Sequence, residues 1–407
     1  MKKKPEILAP AGSLEKLKIA IDFGADAVYL AGEKLNLEAF SDNFTNEEMI
    51  EGIKYCHERG KKVYVNLNIF ARNYDLKDAG EYIKKLYDIG VDAILIADPS
   101  LISIAKEIAP QLDIHLSTQA NTVNWVAAKF WHDIGIKRIV LSKELTFKEI
   151  KTITENIPGS CEIECFVHGS MCIAYSGRSL ISNYILGRDA HKQMDLNECE
   201  HKYNLVEETR PGEYYPIVED KNGTYIMNSK DLCMIHYIPE LVESGINSFK
   251  IEGRMQSEFY IASTIKAYRE ALDRYYDDPQ NYQFQQEWMD ILNRVSHRPY
   301  HTGFYLGKND EQNYEEKSYT GGYKIIGIVE EYDAGTQTAI IMQKNKAFNN
   351  TEVEILRPYM PYFKVNMSQM YDIEKDREIE EADRSHMRFK VKVNIPLQKN
   401  DIILKGN

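Results

Sequence analysis

Long apolar runs are missing from this 407-residue chain. No stretch approaches the about 18 consecutive apolar side chains that mark a membrane-crossing helix. Positive charge is in deficit too: 62 acidic residues stand against 50 basic ones, a formal net charge of -12. That excludes a broad, sequence-blind nucleic-acid binder, which needs a basic surface to release counterions. It leaves room for RNA held by a local patch. Lys137, Arg138 and Lys143 are candidates for one, beside the plainer reading of solvated surface. A secretory leader is not visible either, because MKKKPEILAPAGS meets charge and proline before any apolar stretch; the cytoplasm is the expected location. The glycine-rich turn of a dinucleotide site is lacking as well, since the first strand is followed by LAPAGS with a single glycine.

What is present is a repeating pattern. Eight short apolar runs recur: 6–10 (EILAP), 27–31 (AVYLA), 62–67 (KVYVNL), 93–97 (AILIA), 114–118 (IHLST), 138–142 (RIVLS), 163–167 (IECFV) and 248–252 (SFKIE). Between the first seven lies room for a helix and two loops. Amphipathic stretches that end at Gly24, Gly60 and Gly90 fit helices with glycine past the C-cap, the second starting behind Thr45 or Asn46. Apolar rather than alternating strands suit a parallel sheet covered on both faces. Eight of them predict a closed α/β barrel of the (β/α)8, TIM-like kind over residues 1–276, its mouth at the C-terminal strand ends. An insertion over 168–246 separates strands seven and eight. A closing helix is expected over 256–276, and a polar linker with a short helix around 283–294 occupies 277–318. From about 319 the period changes to short strands joined by Gly, Asp and Asn turns, which predicts a small antiparallel β-barrel domain over 319–407. Such a domain serves as a spacer, a dimerisation element or an RNA contact.

Five of the six cysteines fall between residues 161 and 233. Disulfides explain this poorly in a reducing compartment. Cys161 and Cys165 share one strand face and read as buried, inert thiols. Cys172, Cys199 and Cys233 are wider apart, and thiolates suit an iron–sulfur cluster or zinc; buried structural thiols are the other reading. A thiol hydrolase would pair Cys172 with His168, four residues away, with Asp189, Glu164 or Asp231 orienting the imidazole. Polar residues gather at the predicted strand ends: Asn66, Asn68, Asp98, His115, Ser117, Thr118, Gln119, Asn121, Ser142, Glu144, Glu252 and Arg254. Together they favour a polar small-molecule pocket, with Arg178, Arg188 and Arg254 able to grip a carboxylate or to pair with Glu164 or Glu252.

Several segments carry a further signal. FVHGSMCIAYSGRSLISNY, RPGEYYPI, GTYIMNSKDLC and SFKIEGRM, with APAG at 9–12, STQANTVNW at 117–125 and SHRPYHTGFYLG at 296–307, resemble the collagenase-like peptidase family U32 in its long form. The resemblance covers essentially the whole chain and is nearest to the branch that hydroxylates transfer-RNA uridine. It implies an oxygen-independent hydroxylase making 5-hydroxyuridine at the wobble position with prephenate as cosubstrate, transfer RNA as partner, and a paralogue or second copy as a further partner. The peptidase label and a non-catalytic scaffold role are its alternatives. It also implies a [4Fe–4S] cluster on Cys172, Cys199 and Cys233. The fourth ligand is expected in YSGRC; this chain reads YSGRS, with Ser179 in that place. His168, Arg178, Glu252 and Arg254 are the implied catalytic residues. After strand two, LNLEAFSDNFT replaces a more basic family segment and brings in Glu38.

Overall fold

The computed structural model describes residues 3–36, 43–171, 176, 204–206, 214–220, 223–226, 230–307, 321–384 and 386–406. Eight parallel strands close into a barrel: β1 (Glu6–Pro10), β2 (Ala27–Leu30), β3 (Lys62–Leu67), β4 (Ala93–Ile96), β5 (Asp113–Leu116), β6 (Arg138–Val140), β7 (Glu162–Ser170) and, after strands β8 to β11, β12 (Ser248–Ile251). Each pairs with the next, and β12 pairs with both β7 and β1, which removes every free edge. The TIM-like barrel expected from the apolar repeats is therefore present.

Helices α1 (Leu14–Asp22), α2 (Asn46–His57), α3 (Ala79–Asp88), α4 (Pro99–Ile108), α5 (Trp125–Asp133) and α6 (Phe147–Asn156) connect consecutive strands. Their starts are set by side chains that satisfy the orphan N–H groups of the first turn. Thr45 and Thr146 form capping boxes with Glu48 and Glu149. Asp98 caps α4 and also accepts the Ala71 N–H, so this strand-end residue is a structural cap and not a free rim group.

The segment between β7 and β12 departs from the sequence reading. β7 continues to Ser170, and β11 (Asp231–Cys233) pairs antiparallel with that extension. After it comes α7 (Ile238–Glu243), the short barrel helix before β12. Between them, β8 (Asn204–Val206), β9 (Tyr214–Asp220) and β10 (Gly223–Ile226) form a three-stranded antiparallel sheet. The closing helix α8 (Glu258–Asp277) packs on α1 and α9 (Gln286–Arg294), and β13 (Tyr300–His301) lies beside β11.

The C-terminal strands β14 (Tyr323–Asp333), β15 (Thr338–Gln343), β17 (Thr351–Leu356), β18 (Phe363–Asp372), β21 (Arg388–Val393) and β22 (Ile402–Gly406) close an antiparallel six-stranded barrel. The short β16 (Ala347–Phe348), β19 (Arg377–Glu378) and β20 (Glu381–Ala382) lie at its margins. In β18 the inward residues Met367 and Met370 are interleaved with Asn, Ser and Gln, so it carries less of the β-branched signature of its neighbours. This domain docks on the first barrel. Ile328, Leu356, Ile402 and Leu404 join the larger core, and Lys344 pairs with Glu15 at 2.5 Å and Glu258 at 3.3 Å.

Candidate functional site

The interior of the large barrel is charged rather than oily. Arg138, on β6, reaches across to Glu6 on β1 at 2.6 Å and bonds Glu162 at 2.7 Å and Glu164 at 3.2 Å. Glu164 is wholly buried and accepts a second bond, from Lys250 Nζ at 3.0 Å. The Lys250 ammonium also lies 4.4 Å from the Tyr29 ring centroid. Tyr64 donates to Glu6 at 2.8 Å, and the His115 ring meets Tyr64 edge-on. Burial, then the positive charges of Arg138 and Lys250, hold His115 well below its ordinary value, so it is neutral. These contacts correct one expectation and fix another group's role. Arg138 belongs to the barrel interior and not to a basic surface patch, and Glu164 is engaged by Arg138 and Lys250.

Above this charged floor the mouth begins. Phe166 follows Glu164 on the inward face of β7, with the Lys143 ammonium 4.1 Å from its ring centroid. Lys143 also lies 3.8 Å from Glu252 and donates to the Ser170 carbonyl at 3.3 Å. Ser176, at φ +47°, is held by Glu144, whose carboxylate accepts its N–H at 2.7 Å and its hydroxyl at 2.6 Å. Thr122 Oγ1 and Ser142 Oγ are buried with no hydrogen-bond partner among the described residues, a condition that suits a polar ligand. Arg254 is 4% exposed, and its backbone explains the lone glycine of LAPAGS: a Cβ on Gly12 would stand 2.3 Å from the Arg254 carbonyl oxygen. Gly12 thus serves close packing of two strand-end loops.

Beside the mouth, between β7, β11 and α8, lies a second feature. A bulge after Lys250 pairs Ile251 with His168 instead of Val167. His168 thereby leaves the inward alignment of Glu164 and Phe166 and packs among Tyr260, Tyr268 and Tyr300, with centroids 5.4–5.9 Å away. It is 1% exposed, and burial pushes its pKa down to about 3. Directly across the strand pair stands Cys233, buried, its thiol pushed up to about 12 by desolvation. The Tyr268 hydroxyl lies against that thiol, donates to the Val167 carbonyl at 2.8 Å, accepts the Met234 N–H at 2.9 Å, and stands 3.5 Å from His168 Nδ1.

A clamp that the sequence reading missed secures this corner. Asp231 accepts Arg298 Nε at 2.9 Å, Nη2 at 2.7 Å and the Arg298 N–H at 3.0 Å, and Arg298 Nη2 also reaches the Met171 carbonyl at 3.3 Å. NSKDLC and SHRPYHTG are therefore joined through one ion pair, in which Asp231 Oδ1 takes both guanidinium bonds and Oδ2 the Arg298 N–H. An acidic residue two places before a cysteine and an arginine before a proline were the available signals.

Of the residues singled out in the sequence, Cys233 and His168 come together, and Glu252 and Arg254 stand at the mouth. Tyr260 donates to the Glu252 carbonyl at 2.8 Å and so links the two places. Cys172, Arg178, Ser179, Arg188, Asp189, Cys199 and Glu38 lie outside the described residues. Cys161 and Cys165 are buried with raised thiol values, about 11 for Cys161, chiefly from desolvation; Cys165 sits beside Tyr305. The hydrolase arrangement is not formed by the described groups: His168 is on a strand, Glu164 is held by Arg138 and Lys250, and Asp231 is held by Arg298.

Residues 12–315 match Peptidase family U32, and residues 322–403 match the Peptidase family U32 C-terminal domain. The chain belongs to peptidase family U32. Among its relatives, tRNA hydroxylation protein P1 of Bacillus subtilis is 37% identical over 99% of this chain and 95% of its own length. tRNA hydroxylation protein P2 of the same organism is 35% identical over 75% of this chain and 98% of its own length. A Porphyromonas gingivalis protein named Collagenase is 32% identical over 74% of both chains. The family thus holds members named for RNA modification and members named for proteolysis, and the geometry must choose between them.

Proposed function

We propose that this chain takes part in hydroxylating transfer RNA, making 5-hydroxyuridine at the wobble position without molecular oxygen and with prephenate as cosubstrate, in the cytoplasm, as the enzyme or as one subunit of it. The observation that carries the reading is the full-length likeness to tRNA hydroxylation protein P1. The site supports it chemically. The mouth offers Lys143 and Arg254 for anionic groups and buried hydroxyls at Thr122 and Ser142 for neutral polar ones, over a floor whose charges are already paired. A base extruded from single-stranded RNA is read by such groups. Transfer RNA is the partner, and a paralogue or a second copy of this chain is the proposed protein partner.

A [4Fe–4S] cluster is part of the proposal, on Cys172, Cys199 and Cys233. Of these three, Cys233 lies among the described residues as a buried thiol, and on the paired strand His168 Nε2 is a buried polar atom with no partner among the described residues. Bound, the cluster would supply one-electron chemistry. Tyr268 would orient Cys233, and the Asp231–Arg298 clamp would hold its strand in place. The peptidase reading is not favoured by the described geometry, which leaves His168 with no carboxylate partner.

The test is deletion of the gene in a strain lacking redundant paralogues, with mass spectrometry of transfer-RNA nucleosides. Wobble modifications that derive from 5-hydroxyuridine are expected to disappear and to return with the gene. Unchanged nucleosides would refute the proposal. Normal restoration by a Cys233→Ala variant with no iron would point instead to a scaffold role.

A further inference from the structure

With Arg138 inside the large barrel, the basic patch expected from the sequence is gone, and a polyanionic partner must be held elsewhere. The negative charge of the chain is unevenly placed. Residues 319–407 hold 13 basic and 13 acidic side chains, so the whole net charge of -12 belongs to residues 1–318. The C-terminal barrel is therefore the part that repels a nucleic-acid backbone least.

The two sides of that barrel differ. Around its ring of six strands β22 stands opposite β21. The β22 side is docked: Ile402 and Leu404, with Ile328 of β14 and Leu356 of β17, enter the larger core. On the other side, Arg388, Lys390 and Lys392 are exposed at successive outward positions of β21, alternating with buried Phe389, Val391 and Val393. Two residues of strand separate neighbouring cations by about 6.6 Å. β21 runs between β15 and β18, so these are not the lysines that guard a free sheet edge. Arg388 pairs with Glu330 at 2.6 Å, whereas Lys390 and Lys392 make no ion pair among the described residues.

The neighbouring strands complete the face. Lys390 has two cross-strand partners, Ile340 on β15 and Tyr371 on β18, and all three project to the same side. The Tyr371 hydroxyl donates to Asp376 at 2.6 Å, which orients its half-exposed ring. Carboxylates stand at the margins: Glu330 and Asp333 on β14, Asp376 and Glu378 beyond β18. They confine the free cations to a track one strand wide.

We infer that this face of the C-terminal barrel binds a single-stranded or looped segment of the transfer RNA, with Lys390 and Lys392 on its phosphates and Tyr371 under a base. The inference rests on transfer RNA being the partner, as proposed above. Cations in a row follow a backbone, and an aromatic ring beside them stacks on a base whatever its identity. The work is thereby divided: the C-terminal barrel grips without reading sequence, and the mouth of the large barrel selects the base.

The experiment titrates the full chain into a labelled transfer-RNA transcript at a series of KCl concentrations. Lys390→Gln with Lys392→Gln should lower the slope of log K against log salt by about 1.4 and weaken binding about ten-fold at about 0.15 M salt. Both lysines are exposed, so Tm should hold. Lys390→Arg with Lys392→Arg should keep slope and affinity. Tyr371→Leu should weaken binding about five-fold with the slope unchanged, because a ring stacks and releases no counterion. Lys84→Gln with Lys151→Gln removes the same charge from exposed helices of the large barrel and should change little. An unchanged slope in the Lys390, Lys392 glutamine variant would overturn the inference, as would an equal loss from the Lys84, Lys151 pair or no binding by the wild type at low salt. Displacement of the transcript by poly-glutamate as readily as by poly-uridylate would also overturn it and point to an acidic protein partner. Nucleoside analysis decides the hydroxylation separately. Loss of the modification on gene deletion with an unchanged slope would strike this face alone, and unchanged nucleosides with the expected slope would strike the hydroxylation and keep the face.

Discussion

Replacing Glu164 by glutamine removes one charge from the middle of the barrel and changes almost no volume. Glu164 is wholly buried between Arg138, at 3.2 Å, and Lys250, at 3.0 Å. At an effective dielectric constant of about 20, each attraction is worth about 5 kcal/mol. Much of that offsets the desolvation of three ions, so the net worth of the arrangement is small. Breaking it is another matter, because Glu164→Gln leaves two cations without their shared anion. The expected loss is about 3–5 kcal/mol, read as a lower midpoint of the first urea transition at neutral pH. Lys250→Met alone should also destabilise, because it leaves the buried Glu164 with Arg138 as its one remaining cation among the described residues. The double variant should cost less than the sum of the two by about 1–3 kcal/mol, since the second change relieves what the first created. Additive losses, or a Glu164→Gln cost below about 0.5 kcal/mol, would refute the view that this barrel is held together by a paired charge ladder.

Other consequences can be measured directly. Cys56 and Cys161, with thiols pushed to about 12 and about 11 mainly by burial, should resist alkylation at pH 8 in the native protein and react fully in urea, as mass spectrometry would record. Gly12→Ala should push the Arg254 loop away from the mouth, lowering Tm and failing to restore the transfer-RNA modification even where the protein accumulates. Thr146→Ala should cost about 1 kcal/mol at pH 7 through loss of the α6 cap. The Glu149 carboxyl, held low first by the Thr146 backbone N–H and then by its hydroxyl, adds stability above its ordinary value of 4.5 that is lost as the pH falls below it; only the hydroxyl share goes in the variant, so the urea midpoints of wild type and variant should draw closer between pH 7 and pH 3 without meeting. Lys344→Ala should loosen the docking of the C-terminal barrel, broadening or splitting the calorimetric transition.

Much of the scaffold was legible because the barrel strands are apolar runs bounded by Gly, Asp and Asn, which leave the chain few alternatives. Thr45 announced its helix in the same way, whereas Asp98, expected at the rim, is the cap of α4. The interior was harder to read. Arg138 looked like a surface cation because neither Glu6 nor Glu164 is near it in sequence; only closure of the barrel brings them into contact. His168 was expected just past strand seven; the strand runs on to Ser170, and a one-residue bulge opposite Lys250 sets the face that His168 presents. The Asp231–Arg298 clamp spans 67 residues and no spacing rule could join its halves. Cys233 was legible as a candidate ligand from its residue type, whereas its neighbour across the sheet was legible only from the register.

The pairing of Ser170 with Asp231 has a bearing on how the chain can be rebuilt. Everything between them leaves and rejoins the wall at adjacent, antiparallel backbone positions, and a two-residue turn is enough to bridge such a pair. The register of β7 with β11 is set by their own pairing, so the stretch 171–230 is a unit to exchange as one piece, with the Met171 and Ser176 contacts to remake. A shortened chain with a tight Asn-Gly turn in that place is a direct route to an empty scaffold, and exchange of the stretch with a relative is a route to moving the chemistry while keeping the mouth.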